Sequence, residues 1–244
     1  EEKITRLQDE IDMVPVEAKP LLETVLGHWY WQYFQQNRYR FMQRTATAEP
    51  LGKDFTTWDL PRLYREIDLH FTNALADGRL KTIPTSDFAD LLTKPTLPEN
   101  YRPMLYDFIA HEALAFYTSG EFAAAKPEDA FEIKATDPVL DSLDKFLAWN
   151  PQTTDTASPH LKAVKLFQDV LRFHRTDSVS AARVDADIAR MLFGKNSAVG
   201  EGGRDRFIEA IRDVAENEPG QLSAWARFHW ARALNEKGEL VEAR

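Results

Sequence analysis

Cysteine is absent from all 244 residues. That removes disulfides, thiolate metal sites and cysteine nucleophiles together, while leaving the compartment open, since a cysteine-free chain suits cytosol and periplasm alike. Long apolar runs are missing too: none approaches the roughly 18 residues a membrane span needs, so this segment is not expected to insert into a membrane. Positive charge is in deficit, with 30 Lys and Arg against 39 Asp and Glu and a formal net charge of −9. Such an acidic surface repels phosphate backbones and anionic lipids, so no nucleic-acid partner is expected. Convincing period-two alternation is also lacking, which argues against a sheet.

What remains is helical, with a hydrophobic fraction of 43% to supply a core. A first helical segment covers residues 1–13 and is broken at Asp12 to Pro15. A second spans about 16–45, with Pro20 in its first turn and Arg38, Arg40 and Arg44 toward its C-terminal end. A third starts at Thr57 or Asp59 with Pro61 behind it and carries Leu60, Leu63, Tyr64, Ile67, Phe71 and Leu75 on one face, with Gly78 as its stop. A short helix over 87–92 follows, then a long one over 102–119 ended by Gly120. Prolines 127, 138 and 151 mark an irregular crossing over 126–157 with a short helix at 141–149. Ser158-Pro159 restarts the helix with a cap and an N1 proline, and Leu161, Val164, Phe167, Gln168 and Leu171 form its stripe. Helices over 178–193, 204–216 and 221–237 complete the set, with a glycine-rich loop over 194–203.

Two places share a spacing of small residues, glycine and apolar residues: Ala231, Leu234, Gly238, Leu240, Ala243, and Ala113, Phe116, Gly120, Phe122, Ala125. This is the grammar of a tetratricopeptide-type helix–turn–helix, in which small residues let paired helices approach and glycine takes the turn. Pro127 breaks the second copy. Two ordinary helical hairpins would produce the same pattern.

Chemistry-bearing residues do not form a site pattern. His111-Glu112 begins a zincin-like helix, but the second imidazole belongs at i+4, where Ala115 stands. His28, His70, His111, His160, His174 and His229 are scattered one to a helix, and no pair has i,i+3 or i,i+4 spacing. Gly194-Lys195-Asn196-Ser197 lacks the hydroxyl residue a phosphate loop needs after its lysine, and Gly200-Glu201-Gly202-Gly203-Arg204 follows a helix rather than a strand, so an interhelical loop is the better reading of both. No nucleophile elbow is present. The aromatic stretch from Trp29 to Phe41 is the most unusual. A base- or sugar-stacking platform would use one helix face; here the rings occupy nearly every angle, which favours a central buried helix. Arg38 and Arg44 are candidates to pair with acids such as Asp59 at a helix junction. No catalytic, cofactor-binding or metal residue is therefore expected, and no cofactor; the binding residues are left unassigned.

Three blocks carry a resemblance. The first is His28-Trp29-Tyr30-Trp31-Gln32-Tyr33-Phe34-Gln35-Gln36-Asn37-Arg38-Tyr39-Arg40-Phe41 with Arg44-Thr45. The second is Asp54-Phe55-Thr56-Thr57-Trp58-Asp59-Leu60. The third is Leu105-Tyr106-Asp107-Phe108, His111-Glu112-Ala113-Leu114 and Phe116-Tyr117. Together they resemble the N-terminal helical region of very large bacterial alpha-2-macroglobulin-like proteins, over nearly the whole chain. The resemblance implies a periplasmic or secreted cell-envelope protein whose parent carries macroglobulin-type β-sandwich domains and acts as a protease trap with a bait region. Some members carry a Cys–Gln thioester. With no cysteine here, any thioester and the bait lie elsewhere, and no functional residue of the family transfers to this segment.

The expectation is thus an all-α array of antiparallel helix pairs, a tetratricopeptide-like α–α superhelix. It comprises a helical array over 1–125, the crossing over 126–157 and tetratricopeptide-like helices over 158–244 cut short at the end, or else one continuous domain. Its expected role is that of a non-catalytic scaffold or interaction module of an alpha-2-macroglobulin-like endopeptidase inhibitor. Its partners would be other domains of the parent chain, proteases or envelope proteins. The rivals are a free-standing peptide-binding helical-repeat adaptor, and a helical enzyme with converging acids or histidines in the crossing.

Overall fold

The structure, a computed structural model, describes residues 1–43, 52–92, 98–120 and 129–239, the side chain of Met42 excepted. Among them the fold is all-helical. No strand forms, and the β pairing is confined to isolated bridges at Pro84–Met104 and Lys134–Val199. The chain divides into two compact units, Glu1–Thr93 with Met104–Lys126, and Lys94–Pro103 with Pro127–Arg244.

The first unit is built on α1 (Glu2–Glu10), α2 (Lys19–Gln36), α3 (Arg38–Met42), α4 (Leu60–Leu75) and α5 (Leu105–Tyr117). α2, α4 and α5 pack against one another, and α1 lies on α2. α2 buries Leu21, Leu26, Tyr30, Trp31, Tyr33 and Phe34, residues that point in several directions round its axis. A helix apolar on most sides belongs inside. Its rings interlock with those of other elements: Trp31 meets Phe116 at 5.1 Å, Phe34 meets Tyr64 at 5.3 Å, and Tyr33 meets Phe55 at 4.9 Å, all edge to face.

The long helix expected over 16–45 is broken at Asn37. The Asn37 side chain donates through Nδ2 to the Tyr33 carbonyl at 2.9 Å. Its backbone sits at φ −115°, outside the helical well. Asparagine offers the backbone a local alternative to propagation, and here that alternative wins. Residues 44 and 45 lie outside the described residues. α4 starts as expected, with Asp59 accepting from the Arg62 amide at 2.8 Å and Pro61 in the first turn. Its end differs: α4 stops at Leu75, and Gly78 opens a 3-10 turn (Gly78–Thr82) capped by Asp77. The short helix expected over 87–92 is a 3-10 turn at Thr85–Phe88 instead. Gly120 adopts φ +72° just beyond α5, where a left-handed residue closes the helix.

The second unit contains α6 (Leu143–Ala148), α7 (Pro159–Phe173), α8 (Ala181–Ser197), α9 (Gly203–Asn217) and α10 (Gly220–Lys237). Each of α7 to α10 packs on the next in sequence. Ser158 caps α7 by accepting from the Leu161 amide, with Pro159 at the first position. Gly238 closes α10 at φ +90°. Residues 129–142 form no helix ladder beyond a 3-10 turn at Pro138–Leu140, yet Ile133, Val139 and Leu140 are buried.

The glycine-rich loop expected over 194–203 is shorter than that, because α8 runs on to Ser197 and takes Gly194 into its last turn. The reason is steric. A Cβ at Gly194 would stand 2.9 Å from Leu140 Cδ2 and 3.1 Å from both Val139 methyls. Glycine is therefore the residue that lets the 3-10 turn lie against α8. Gly194→Ala is expected to lower stability by about 1–2 kcal/mol despite alanine's better helix propensity, because Val139 is branched and enclosed. Thermal denaturation checks this, and an unchanged or higher midpoint would contradict the close approach.

Candidate functional site

The aromatic stretch on α2 and α3, read from the sequence as a buried central helix in preference to a stacking platform, is turned mostly inward. Tyr30, Trp31, Tyr33, Phe34 and Phe41 are buried, and Trp29 is partly so. Tyr39 alone among these rings is well exposed. The Tyr30 ring packs against the Phe55 and Trp58 rings and the His70 imidazole, and its hydroxyl is buried without a hydrogen-bond partner among the described residues. Burial raises its pKa, with Glu66 adding to the rise. A phenol so placed stays neutral and serves packing.

The histidines do not come together, and among the described residues no three His, Asp or Glu side chains are grouped to hold a metal ion. Three histidines join a carboxylate instead. His28 Nδ1 lies 2.9 Å from Glu112 Oε2, joining α2 to α5. His70 Nδ1 lies 2.5 Å from Glu23 Oε2, joining α4 to α2. His174, almost fully buried, lies 2.6 Å from Asp177 and closes the C-terminal turn of α7. His160 packs edge-on to Phe193 at 5.4 Å. His229 sits against Trp225, and burial first, then Lys195 and Arg232, lower its pKa. Glu112, the acid of the failed zincin pattern, is thus a helix–helix partner of His28, and Ala115 faces solvent.

Gly200 and Gly202 adopt φ +103° and +83° to turn the chain into α9. The arginines beside them are engaged elsewhere: Arg204 donates to the Glu236 carbonyl, and Arg206 to the Ala135 carbonyl and to Asp141. Asp59, offered as an acid for Arg38 and Arg44, caps α4; Arg44 lies outside the described residues.

In the crossing over 126–157, where an enzyme site would need converging acids, several carboxylates among the described residues are taken up in hydrogen bonds and ion pairs. Asp129 accepts from Thr154, Asp137 from the Lys134 amide, and Asp155 from the Phe131 amide. Asp141 pairs with Arg206, and Asp144 with Arg175.

The same crossing is held from outside by a set of donors that sequence reasoning missed. Gln168 Nε2 donates to the Phe146 and Trp149 carbonyls at 2.8 and 2.7 Å, and Arg172 donates to the Leu147 carbonyl at 2.8 Å. Arg190, buried to 1%, donates to the Val139 and Asp141 carbonyls at 2.7 and 3.0 Å and to Asp187 at 2.7 Å, with Phe146 beneath its guanidinium at 4.8 Å. An irregular buried segment has carbonyls with no ladder partner, and long side chains from α7, α8 and α9 supply them. The visible signal was Gln168, a polar residue inside an apolar stripe.

One ring contact that faces solvent lies on α10. Trp225 and Phe228 stack in near-parallel at 5.6 Å and are about half exposed, opposite the face that buries Leu222, Ala226, Ala233 and Leu234. Of the repeat-like spacing on this helix, Leu234 is buried and Ala231 only partly so, while Leu240 and Ala243, like Phe122 and Ala125, lie outside the described residues. No helix among the described residues is long and apolar enough to cross a membrane. Comparisons with protein-family models, with curated proteins and with solved structures gave no match.

Proposed function

We propose that the chain is a non-catalytic helical scaffold or interaction module of a large bacterial alpha-2-macroglobulin-like endopeptidase inhibitor of the cell envelope, periplasmic or secreted. The observation that carries the reading is where the three resembling blocks fall. They are one another's packing partners: Trp31 of the first meets Phe116 of the third, and Tyr30 and Tyr33 of the first meet Phe55 of the second. Their unusual composition is therefore accounted for by one shared interior, and needs no reaction chemistry to explain it. Engagement of His28, His70, Glu23 and Glu112 in ties between helices supports the same reading. The module's partners are then other domains of the parent chain, proteases or envelope proteins.

The finer architecture we propose is an array of antiparallel helix pairs of tetratricopeptide type. Sequential packing of α7 through α10 and the left-handed glycines after α5 and α10 support it.

An assay of the purified chain tests the functional reading. Mixed with an endopeptidase and casein, it should leave the rate of digestion unchanged, and alone it should hydrolyse neither peptide nor ester substrates. Protection of casein by this chain alone, or turnover of a substrate, would contradict a non-catalytic module.

The second reading is a free-standing adaptor that binds extended peptides. The exposed Trp225–Phe228 stack on α10 favours it. Binding of unstructured peptides that changes Trp225 emission, and is lost in Phe228→Ala, would move the assignment to this reading.

A further inference from the structure

The two histidine–carboxylate pairs of the first unit lie on the same helix and reach different neighbours. Glu23 and His28 are five residues apart on α2, about 140° round its axis. One reaches α4 through His70 and the other reaches α5 through Glu112. The α4 pair is the more enclosed, with Glu23 and His70 side chains 5% and 12% exposed, against 38% and 26% for His28 and Glu112. Gly27 sits between them and keeps α2 close to α4: a Cβ there would already be in contact with the His70 Cβ and the Phe71 ring.

We propose that the His28–Glu112 pair makes the first unit a proton-controlled clamp, in which protonated His28 holds α5 on α2 and proton loss loosens that hold. The groups around the clamp are few. Glu112 faces His28 from α5, and Gln32, one turn along α2, contacts its other ring nitrogen at 2.8 Å. On the α4 side, Glu23 faces His70, the neutral Tyr30 phenol stacks on the imidazole at 5.6 Å, and Glu66, one turn earlier on α4, is tied to Arg62 at 3.0 Å.

Gln32 is the part that must respond. With Nε2 of His28 bare, the Gln32 amide N–H donates to it. With Nε2 protonated, both ring nitrogens are donors, and the amide turns over so that its carbonyl oxygen accepts. The imidazolium then holds a carboxylate on one side and an amide oxygen on the other, and the α2–α5 bond becomes charge-assisted.

The direction follows from linkage. The hydrogen bond to Glu112 raises the His28 pKa, burial opposes it, and the Glu112 charge adds to the rise. A histidine whose pKa rises on folding contributes stability that is complete below its unfolded value of about 6.5. That contribution is lost as pH climbs through the folded value.

The test uses the full chain. Histidine ring signals followed by NMR from about pH 5.5 to about pH 8.5 should place the His28 midpoint above about 6.5, and in Glu112→Gln that midpoint should fall. Across the same range the wild-type melting midpoint should drop by about 3 °C more than that of Glu112→Gln. A wild-type His28 midpoint at or below the ordinary value overturns the clamp, and that measurement needs no variant to fold. Parallel melting curves for wild type and a folded Glu112→Gln overturn it equally.

Discussion

Replacing Arg190 by alanine should cost about 3–5 kcal/mol, the largest loss expected from any single charged residue of the chain. The guanidinium is 1% exposed and does three things together. It supplies the Val139 and Asp141 carbonyls with a donor, neutralises Asp187, and lies on the Phe146 ring. The variant leaves a carboxylate and two carbonyls in a dry interior with a cavity beside them. Desolvation without a partner, rather than the lost attraction, dominates such a cost. For a chain of this size the midpoint should fall by about 10 °C or more. Arg190→Met with Asp187→Leu should recover much of the loss, because it removes both charges while keeping the volume. Guanidinium denaturation of the single and double variants measures both. A loss under about 1 kcal/mol for Arg190→Ala would mean that the 131–149 segment does not depend on this arginine.

Phe116→Ala should be comparably severe, at about 3–5 kcal/mol. The ring is 1% exposed and lies at 5.1 Å from Trp31, 5.9 Å from Phe71, 6.1 Å from Tyr64 and 5.4 Å from Tyr117. It is where α2, α4 and α5 converge, so truncation opens a cavity that three helices would have to close together. Phe116→Leu should lose much less, since it keeps most of the volume. Phe228→Ala provides the contrast, because that ring is about half exposed and its removal should stay within about 0.5 kcal/mol. Equal losses for Phe116→Ala and Phe228→Ala would contradict the placement of the aromatic interior.

Helix starts and stops that depend on local chemistry were legible in the sequence. Ser158-Pro159, Asp59 with Pro61, Gly120 and Gly238 each act where their residue type directs. The all-round aromatic wheel of α2 correctly indicated a buried helix. Features that depend on tertiary neighbours were not legible. Asn37 breaks the long helix by a side-chain bond that many helical asparagines do not make. Gly194 reads as loop until Val139 and Leu140 are seen against it. Arg190, Arg172 and Arg206 look like solvated helix arginines, because nothing in their own segments shows the bare carbonyls they serve.

The histidines illustrate the limit most clearly. Reading each one within its own helix found no pair at i,i+3 or i,i+4 spacing, and it also missed the partners that two of them have on other helices. The carboxylate that completes His28 is on α5, and the one that completes His70 is on α2. Spacing rules operate within an element, and these pairs exist only between elements.

The most direct measurement of the proposed role is to sequence the reading frame outward from residues 1–244 in both directions. A membrane-export signal upstream and a long series of macroglobulin-type β-sandwich domains downstream is the predicted result, with this module as a helical accessory of a protease trap. A frame that closes shortly after Arg244 would contradict it, and the helical-repeat adaptor would then be the reading to pursue.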